Sequence, residues 1–292
     1  MTRKPVVVIV GAGSLATFLA PALRRAGFKI LEIVTRDSPL SLRRARVLAK
    51  KVHARAVAAR SAELNADLIW LCVPDREIGR AAGLLADRLA LRTSTRRKNK
   101  PSFAFHSSGA LGSRELDPLR KQGVVVASVH PLMTFVPHSS PSVAGVPFAL
   151  EGDPKAVRIA RRMVRDLGGE SFTLPATRKA AYHTWATMTS PLLLAYLVTL
   201  EEAAIAAGVA RGDARRMSLP IIRQTLANYG QLGPRHSFSG PFIRGDAQTV
   251  ARHLQLLKKR PVVRGVYLAL ADAGLRSLPV KNRKALKLLL QA

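Results

Sequence analysis

The period of the hydrophobic positions changes partway along the chain. Up to residue 175, short β-branched runs ("VVVIV", "ILEIV", "ARAVA", "DLIWLCV", "SFAFH", "VVVASV") alternate with segments whose apolar residues recur at helical spacing, namely Ser14 to Ala26, Leu40 to Val52, Glu77 to Leu91 and Gly112 to Gln122. Strands alternating with helices predict an α/β domain built on a parallel, doubly wound sheet. "PFALEG", a helix from Pro154 to Leu167 and "ESFTL" read as a continuation of the same layer. After Pro175 the strand pattern stops. From Ala176 onward Ala, Leu and Arg dominate at helical spacing, broken by "GVARGD", "NYGQLGPRHSFSGPFIRGD", "KKRP" and "SLPVKN". This predicts an all-helical second domain of about five helices, so the expected domains are 1–175 and 176–292. No internal repeat of fixed period is visible.

Composition changes that picture in one respect, which is charge. The 292 residues hold 47 Lys and Arg against 18 Asp and Glu, a formal net charge of +29. Such an excess attracts anions, whether nucleic acid, lipid or acidic metabolites. The basic residues come in scattered pairs on helix-like segments, with one loop-like run, "RTSTRRKNK", from Arg92 to Lys100. No reader motif or aromatic-basic interleaving accompanies them, so nucleic acid is not the expected partner. The single cysteine, Cys72, fits a reducing, cytoplasmic setting. The N-terminal "MTRKPVVVIVGAGSLATFLAPAL" imitates a secretory signal, but its glycines and the strand pattern that follows argue against one. The apolar run "PLLLAYLVTL" ends at Glu201 and Glu202, so no membrane span is expected, and no metal site is expected either.

Candidate chemistry begins at "VVVIVGAGSLATFLAPALRRAGFKILEIVTR". Gly11, Gly13 and Ala16 form G-x-G-x-x-A after a strand and at the opening of a helix, the context that a dinucleotide-binding turn requires. Gly11, Ala12, Gly13, Ser14 and Leu15 would then offer backbone N–H groups to a diphosphate at a helix N-terminus. At the end of the second strand, where a carboxylate would select the ribose hydroxyls of NAD, the chain reads Thr35-Arg36-Asp37-Ser38. Arg36, helped by Thr35, Ser38 and Arg43, suits a 2'-phosphate, so NADP is favoured over NAD. Asp37 is the rival: facing the ribose, it would restore NAD.

Ligands of open α/β sheets lie beyond the carboxyl ends of the strands. Those ends read "CVPD", with Val73 and Pro74, "FHSSGA", with His106, Ser107 and Ser108, and "SVHPLMTF", with His130. His106, Ser107, Ser108 and His130 are expected to converge near a nicotinamide ring, and Val73, Pro74 and Ser107 to contact the cofactor. For Ser107 and Ser108 a helix cap is the alternative role, and for His130 the bracing of a turn.

The order "GAGSLA", "CVPD", "HSSGA", "HPLMTF", "KAAYH", "IIRQTLANYG" and "SGPFIRGDAQTVARHL" resembles Rossmann-like proteins whose C-terminal half is a domain of unknown function, the 2520 family. These are similar in architecture to pyrroline-5-carboxylate reductase, ketopantoate reductase, the β-hydroxyacid dehydrogenases and the deazaflavin-dependent NADP reductases. The resemblance implies a Rossmann-type doubly wound sheet followed by an all-helical substrate and dimerisation domain, with a cleft between them. It also implies a lysine at the start of the first long helix, which Lys179 supplies, and an asparagine four residues on, where this chain has His183. Pro191 stands where the resemblance implies a second asparagine. Lys179 would protonate a developing alkoxide, with His183 orienting the substrate or sharing a proton relay. In the last block Asp246 reads as an N-cap, and Arg244 as either part of the turn or a clamp for a substrate carboxylate.

The expectation is a cytoplasmic, homodimeric, NADP-linked oxidoreductase. Hydride would pass to or from a small, anionic carbonyl or imine compound held by Lys179, His183, His130, Ser108 and Arg244. A non-catalytic NADP-binding dimer and a binder of anionic surfaces remain open beside it.

Overall fold

The computed structural model describes residues 3–93, 101–137, 139 and 142–291. The basic run predicted as a loop lies, from residue 94 to Lys100, outside them. The described chain forms two compact units, Met1–Thr187 and Met188–Ala292.

The first unit is an eight-stranded sheet in the order β3-β2-β1-β4-β5-β6-β7-β8. Its strands are β1 (Val7–Val10), β2 (Ile30–Thr35), β3 (Arg55–Ala58), β4 (Leu68–Leu71), β5 (Phe103–His106), β6 (Val125–Pro131), β7 (Pro147–Gly152) and β8 (Glu170–Thr173). Its helices are α1 (Ser14–Arg25), α2 (Pro39–Val52), α3 (Ile78–Thr93), the short α4 (Asp117–Arg120) and α5 (Pro154–Asp166). β1 and β4 are buried on both faces, as continuous apolar runs in a helix-covered parallel sheet should be. One face packs Leu19, Leu23, Leu48 and Met163 of α1, α2 and α5 against Ile9, Ile33 and Trp70. The other packs Ile78, Leu85 and Leu89 of α3 against Val8, Ile69 and Ala104.

Two elements depart from the sequence pattern. β7 runs antiparallel to β6, because residues 132–146 supply no helical crossover among the described residues, and without one the chain doubles back beside its own strand. The helix expected from Gly112 to Gln122 is reduced to a 3-10 turn, Ser113–Leu116, and the single-turn α4. Pro118 fits only the first turn of a helix, and Gly123, at φ +79°, ends it.

Seven helices follow in place of about five: α6 (Lys179–Thr189), α7 (Pro191–Ala206), α8 (Arg211–Ser237), α9 (Pro241–Arg244), α10 (Ala247–Leu257), α11 (Pro261–Ser277) and α12 (Arg283–Gln291). Pro191 makes two helices of the expected first one: it takes the first position of α7, and Ser190 before it leaves helical geometry at φ −124°, ψ −75°. Gly233, at φ +72°, breaks α8. Asp246 caps α10 as expected, accepting from Thr249 N–H at 3.0 Å. Glu201 of α7 accepts from Arg215 of α8 at 2.9 Å and ties those two helices together.

Within Ala176–Ala206 one 18-residue window has a mean hydropathy of 1.3, enough, by length and composition only, for a membrane span, where none was expected. The acidic pair at its end did not lower the average enough to prevent this. α7 and α8 leave a broad apolar surface uncovered, including Leu194 (62% exposed), Ile221 (69%) and Tyr229 (61%).

Candidate functional site

The turn after β1 is shaped by Gly11. Its φ is +110°, and a Cβ there would lie 2.3 Å from the Cys72 carbonyl oxygen of the neighbouring strand end, so no other residue fits without displacing backbone. Gly13 precedes α1 with no side-chain cap, and a Cβ on it would meet nothing within 4 Å. The first N–H groups of α1 therefore face open space, and Ser14 beside them is exposed. No acidic residue stands in that first turn. Ala12 and Leu15 are half-buried against the core below. A glycine turn, free N–H donors and a helix N-terminus fit the diphosphate of a dinucleotide.

At the end of β2, Thr35 is buried and Arg36 is exposed without an ion pair among the described residues. Asp37 pairs with Arg60 at 2.9 Å. Ser38 caps α2 by accepting from Ser41 N–H at 3.3 Å. Val73 and Pro74 follow β4 beside the glycine turn.

The other polar residues gather at the ends of β4, β5 and β6. His106, the last residue of β5, is wholly buried. Its Nδ1 accepts from Ser108 N–H at 3.1 Å, so in the neutral ring Nε2 carries the proton and donates to the Gly112 carbonyl, also at 3.1 Å. Burial, with Lys179 nearby, pushes its pKa down to about 4. Ser107 accepts from the Trp70 indole N–H at 2.9 Å. Ser108 donates its hydroxyl to Asp75 at 2.7 Å and accepts from the N–H groups of Ala110 and Leu111.

Lys179, on the first turn of α6, is 2% exposed. Its Nζ donates to the Ser108 carbonyl and to Ser128 Oγ, each at 2.7 Å. Burial lowers its pKa to about 8, against the pull of Glu151 and Asp75. Ser128 and His130 alternate along β6 and so point to the same side of the sheet. His130 Nδ1 lies 2.6 Å from the Tyr182 hydroxyl. Burial, then Lys179, His183 and His106, lower the His130 pKa to about 4. His183 is exposed, and its ring centroid is 6.5 Å from that of His130. Gly109 fills the corner between them: a Cβ there would lie 2.7 Å from His183 Cδ2 and 2.9 Å from His130 Nε2.

The structure thus brings together Lys179, Ser108, His130 and His183. Four further residues that the sequence reading passed over belong with them: Asp75, Ser128, Tyr182 and Glu151, the last accepting from the Ser113 N–H and hydroxyl. Two had a signal in the period of their element: Ser128 lies two residues before His130 on a strand, and Tyr182 three residues after Lys179 on a helix. Arg244 lies in the second unit, exposed at the end of α9, where Gly245 takes the left-handed conformation at φ +71°.

A glycine turn on the first strand of a doubly wound sheet, with polar groups at the neighbouring strand ends, defines a nucleotide-binding α/β domain, here joined to a helical domain. Residues 2–131 match the family model described as a Rossmann-like domain, and residues 146–273 match the domain of unknown function DUF2520. The chain thus joins a stretch that matches a Rossmann-like domain to one that matches a DUF2520 domain. Similar solved structures include a Bacteroides fragilis protein assigned as an NADP oxidoreductase, at 22% identity over 92% of this chain and 97% of that one, TM-score 0.72. A pyrroline-5-carboxylate reductase from Coxiella burnetii matches at 15% identity over 99% and 97%, TM-score 0.58. An imine reductase from Myxococcus stipitatus in complex with NADP+ matches at 14% identity over 94% and 95%, TM-score 0.60. No curated protein matches the chain in sequence.

Proposed function

We propose that the protein is a homodimeric, NADP-dependent oxidoreductase acting on a small, anionic carbonyl or imine compound. One observation carries the reading: the open glycine turn at β1 lies on the same sheet edge as the buried Lys179, Ser128 and Ser108 cluster, with β4 and β5 between β1 and β6. The names of the Coxiella and Myxococcus structures support carbon–nitrogen double bonds as the substrate class. When bound, a nicotinamide would supply or take the hydride and its electron pair; the substrate heteroatom gains or loses the matching proton.

The chain's own residues bind and orient. Gly11 to Leu15 hold the diphosphate and Arg36 the 2'-phosphate. Lys179 fixes the loop after β5 and places positive charge behind it, which favours an anionic substrate and opposes charging of the neighbouring histidines. Arg244 is the candidate clamp for a substrate carboxylate. The uncovered apolar faces of α7 and α8 support the dimer, since patches of that kind mark association surfaces.

The test is NADPH and NADH oxidation, followed at 340 nm, with a panel of cyclic imines and 2-oxo acids including pyrroline-5-carboxylate. Turnover with NADPH preferred over NADH is expected. Saturable NADPH binding with no turnover on any member would replace this reading with a non-catalytic binding dimer.

A further inference from the structure

Lys179 is poorly placed to touch a substrate. Its side chain is 2% exposed, and its Nζ is already committed to the Ser108 carbonyl and Ser128 Oγ. Among the described residues, two groups of this cluster present an uncommitted ring nitrogen, His183 and His130, and only His130 has its other ring nitrogen held by a partner. Its Nε2 has no hydrogen-bond partner among the described residues, and it lies close to Gly109, where any side chain would collide with it.

Which ring nitrogen of His130 carries the proton follows from its partner. The Tyr182 hydroxyl lies 2.6 Å from Nδ1 and has no other hydrogen bond among the described residues. A neutral imidazole nitrogen is a better acceptor than a phenol oxygen, and a phenol is the better donor, so the hydroxyl hydrogen lies toward Nδ1. The phenol is held there by packing: its ring meets His130 edge-on at 5.5 Å and 83°, Phe172 at 5.9 Å and Trp185 at 6.0 Å. Burial first, then Lys179, His183 and His106, oppose positive charge on His130, so the ring carries a single proton.

We infer that Tyr182 is a positioning residue. Its hydroxyl donates to Nδ1 of His130 and holds the imidazole proton on Nε2, beside Gly109 and His183, to donate to a substrate's carbonyl oxygen or imine nitrogen. The inference rests on the reductase reading for its substrate and on geometry alone for the tautomer. A donor fixed before the reaction stabilises the charge that builds on the heteroatom as hydride adds to carbon, with no cost of reorientation at that moment. His130, not Lys179, is then the catalytic residue that touches substrate.

The test reads the tautomer directly. Long-range proton–nitrogen NMR on protein labelled with 15N-histidine, at pH 7.5 without cofactor or substrate, is compared for wild type, Tyr182→Phe and His130→Asn, the last assigning the signal. Wild-type His130 should carry its proton on Nε2, and Tyr182→Phe, which keeps the ring packing, should show a mixture of tautomers. A proton on Nδ1 in wild type, or the same pattern in both proteins, overturns the inference. In the turnover assay Tyr182→Phe should lower kcat by about 10- to 100-fold with little change in the KM for NADPH, less than the roughly 100- to 1000-fold lost when an oriented donor is removed outright, since His130 itself stays. An unchanged kcat overturns the catalytic role. Absence of wild-type turnover on every probe, beside the expected tautomer pattern, sinks the reductase reading and leaves the positioning of His130 by Tyr182 standing.

Discussion

Lys179 Nζ lies 2.7 Å from the carbonyl oxygen of Ser108, a residue 71 positions earlier in the chain. The first turn of α6 is thereby fastened to the loop after β5, and Lys179 packs within the first compact unit although it follows the last strand. The same lysine reaches Ser128 on β6, so one buried amine joins two strand ends. Replacing it by methionine removes the charge and leaves the Ser108 carbonyl with the Ser128 hydroxyl, at 3.0 Å, as its remaining donor.

The two glycines of the turn after β1 should fail in different ways. Gly11→Ala places a Cβ against the Cys72 carbonyl at a positive φ, and the fold should lose more than about 1 kcal/mol in urea titrations. Gly13→Ala meets no neighbour, so stability should stay within about 0.5 kcal/mol while NADPH affinity falls, because the methyl group stands where the diphosphate approaches. Equal losses of stability would refute the distinction.

Arg36 is exposed and without an ion pair among the described residues at the end of β2, whereas Asp37 is held by Arg60. Arg36→Ala should weaken NADPH binding by about 10- to 100-fold and leave NADH binding nearly unchanged, the loss of charge-assisted hydrogen bonds to a phosphate. Calorimetric titration of both cofactors measures this, and an unaltered preference for NADPH would count against the 2'-phosphate site.

Burial holds His106 and His130 near a pKa of about 4, below the ordinary value of 6.5. Between those values the unfolded chain binds protons that the native state refuses, so stability present above pH 6.5 should drain away as pH falls toward 4. For the fully buried His106 the loss is on the order of 3 kcal/mol. Denaturant titrations at pH 7, 5.5 and 4.5 give the slope, which should be shallower in His130→Asn than in wild type.

The apolar faces of α7 and α8 should be covered by a second copy. Light scattering is expected to return twice the chain mass of 31.6 kDa, and Leu194→Glu combined with Ile221→Glu should return the monomer. A wild-type monomer that stays soluble at micromolar concentration would exclude this dimer.

Much of the sheet was legible because its signals are local. All eight strands and the glycine turn follow from β-branched runs and from spacing within about 30 residues. The direction of β7 was not legible, since strand polarity depends on the path of residues 132–146 and not on the strand's own side chains. The site was half legible. Lys179, His183, His130 and Ser108 could be named from strand ends and helix spacing. Asp75 and Glu151 could not, because their roles come from partners 33 and 38 residues away in sequence. Ser108 also combines both roles weighed for it: it caps the Ala110–Leu111 turn and its carbonyl anchors the lysine.

Cys72, whose carbonyl walls the glycine turn, is the only cysteine of the chain, and burial pushes its thiol up to about 12. Almost none of it is thiolate at neutral pH, so peroxide and alkylating reagents should pass it by. Any cysteine introduced on the surface would then be the single reactive thiol, which makes site-specific fluorescent labelling of this protein possible without first deleting a native residue.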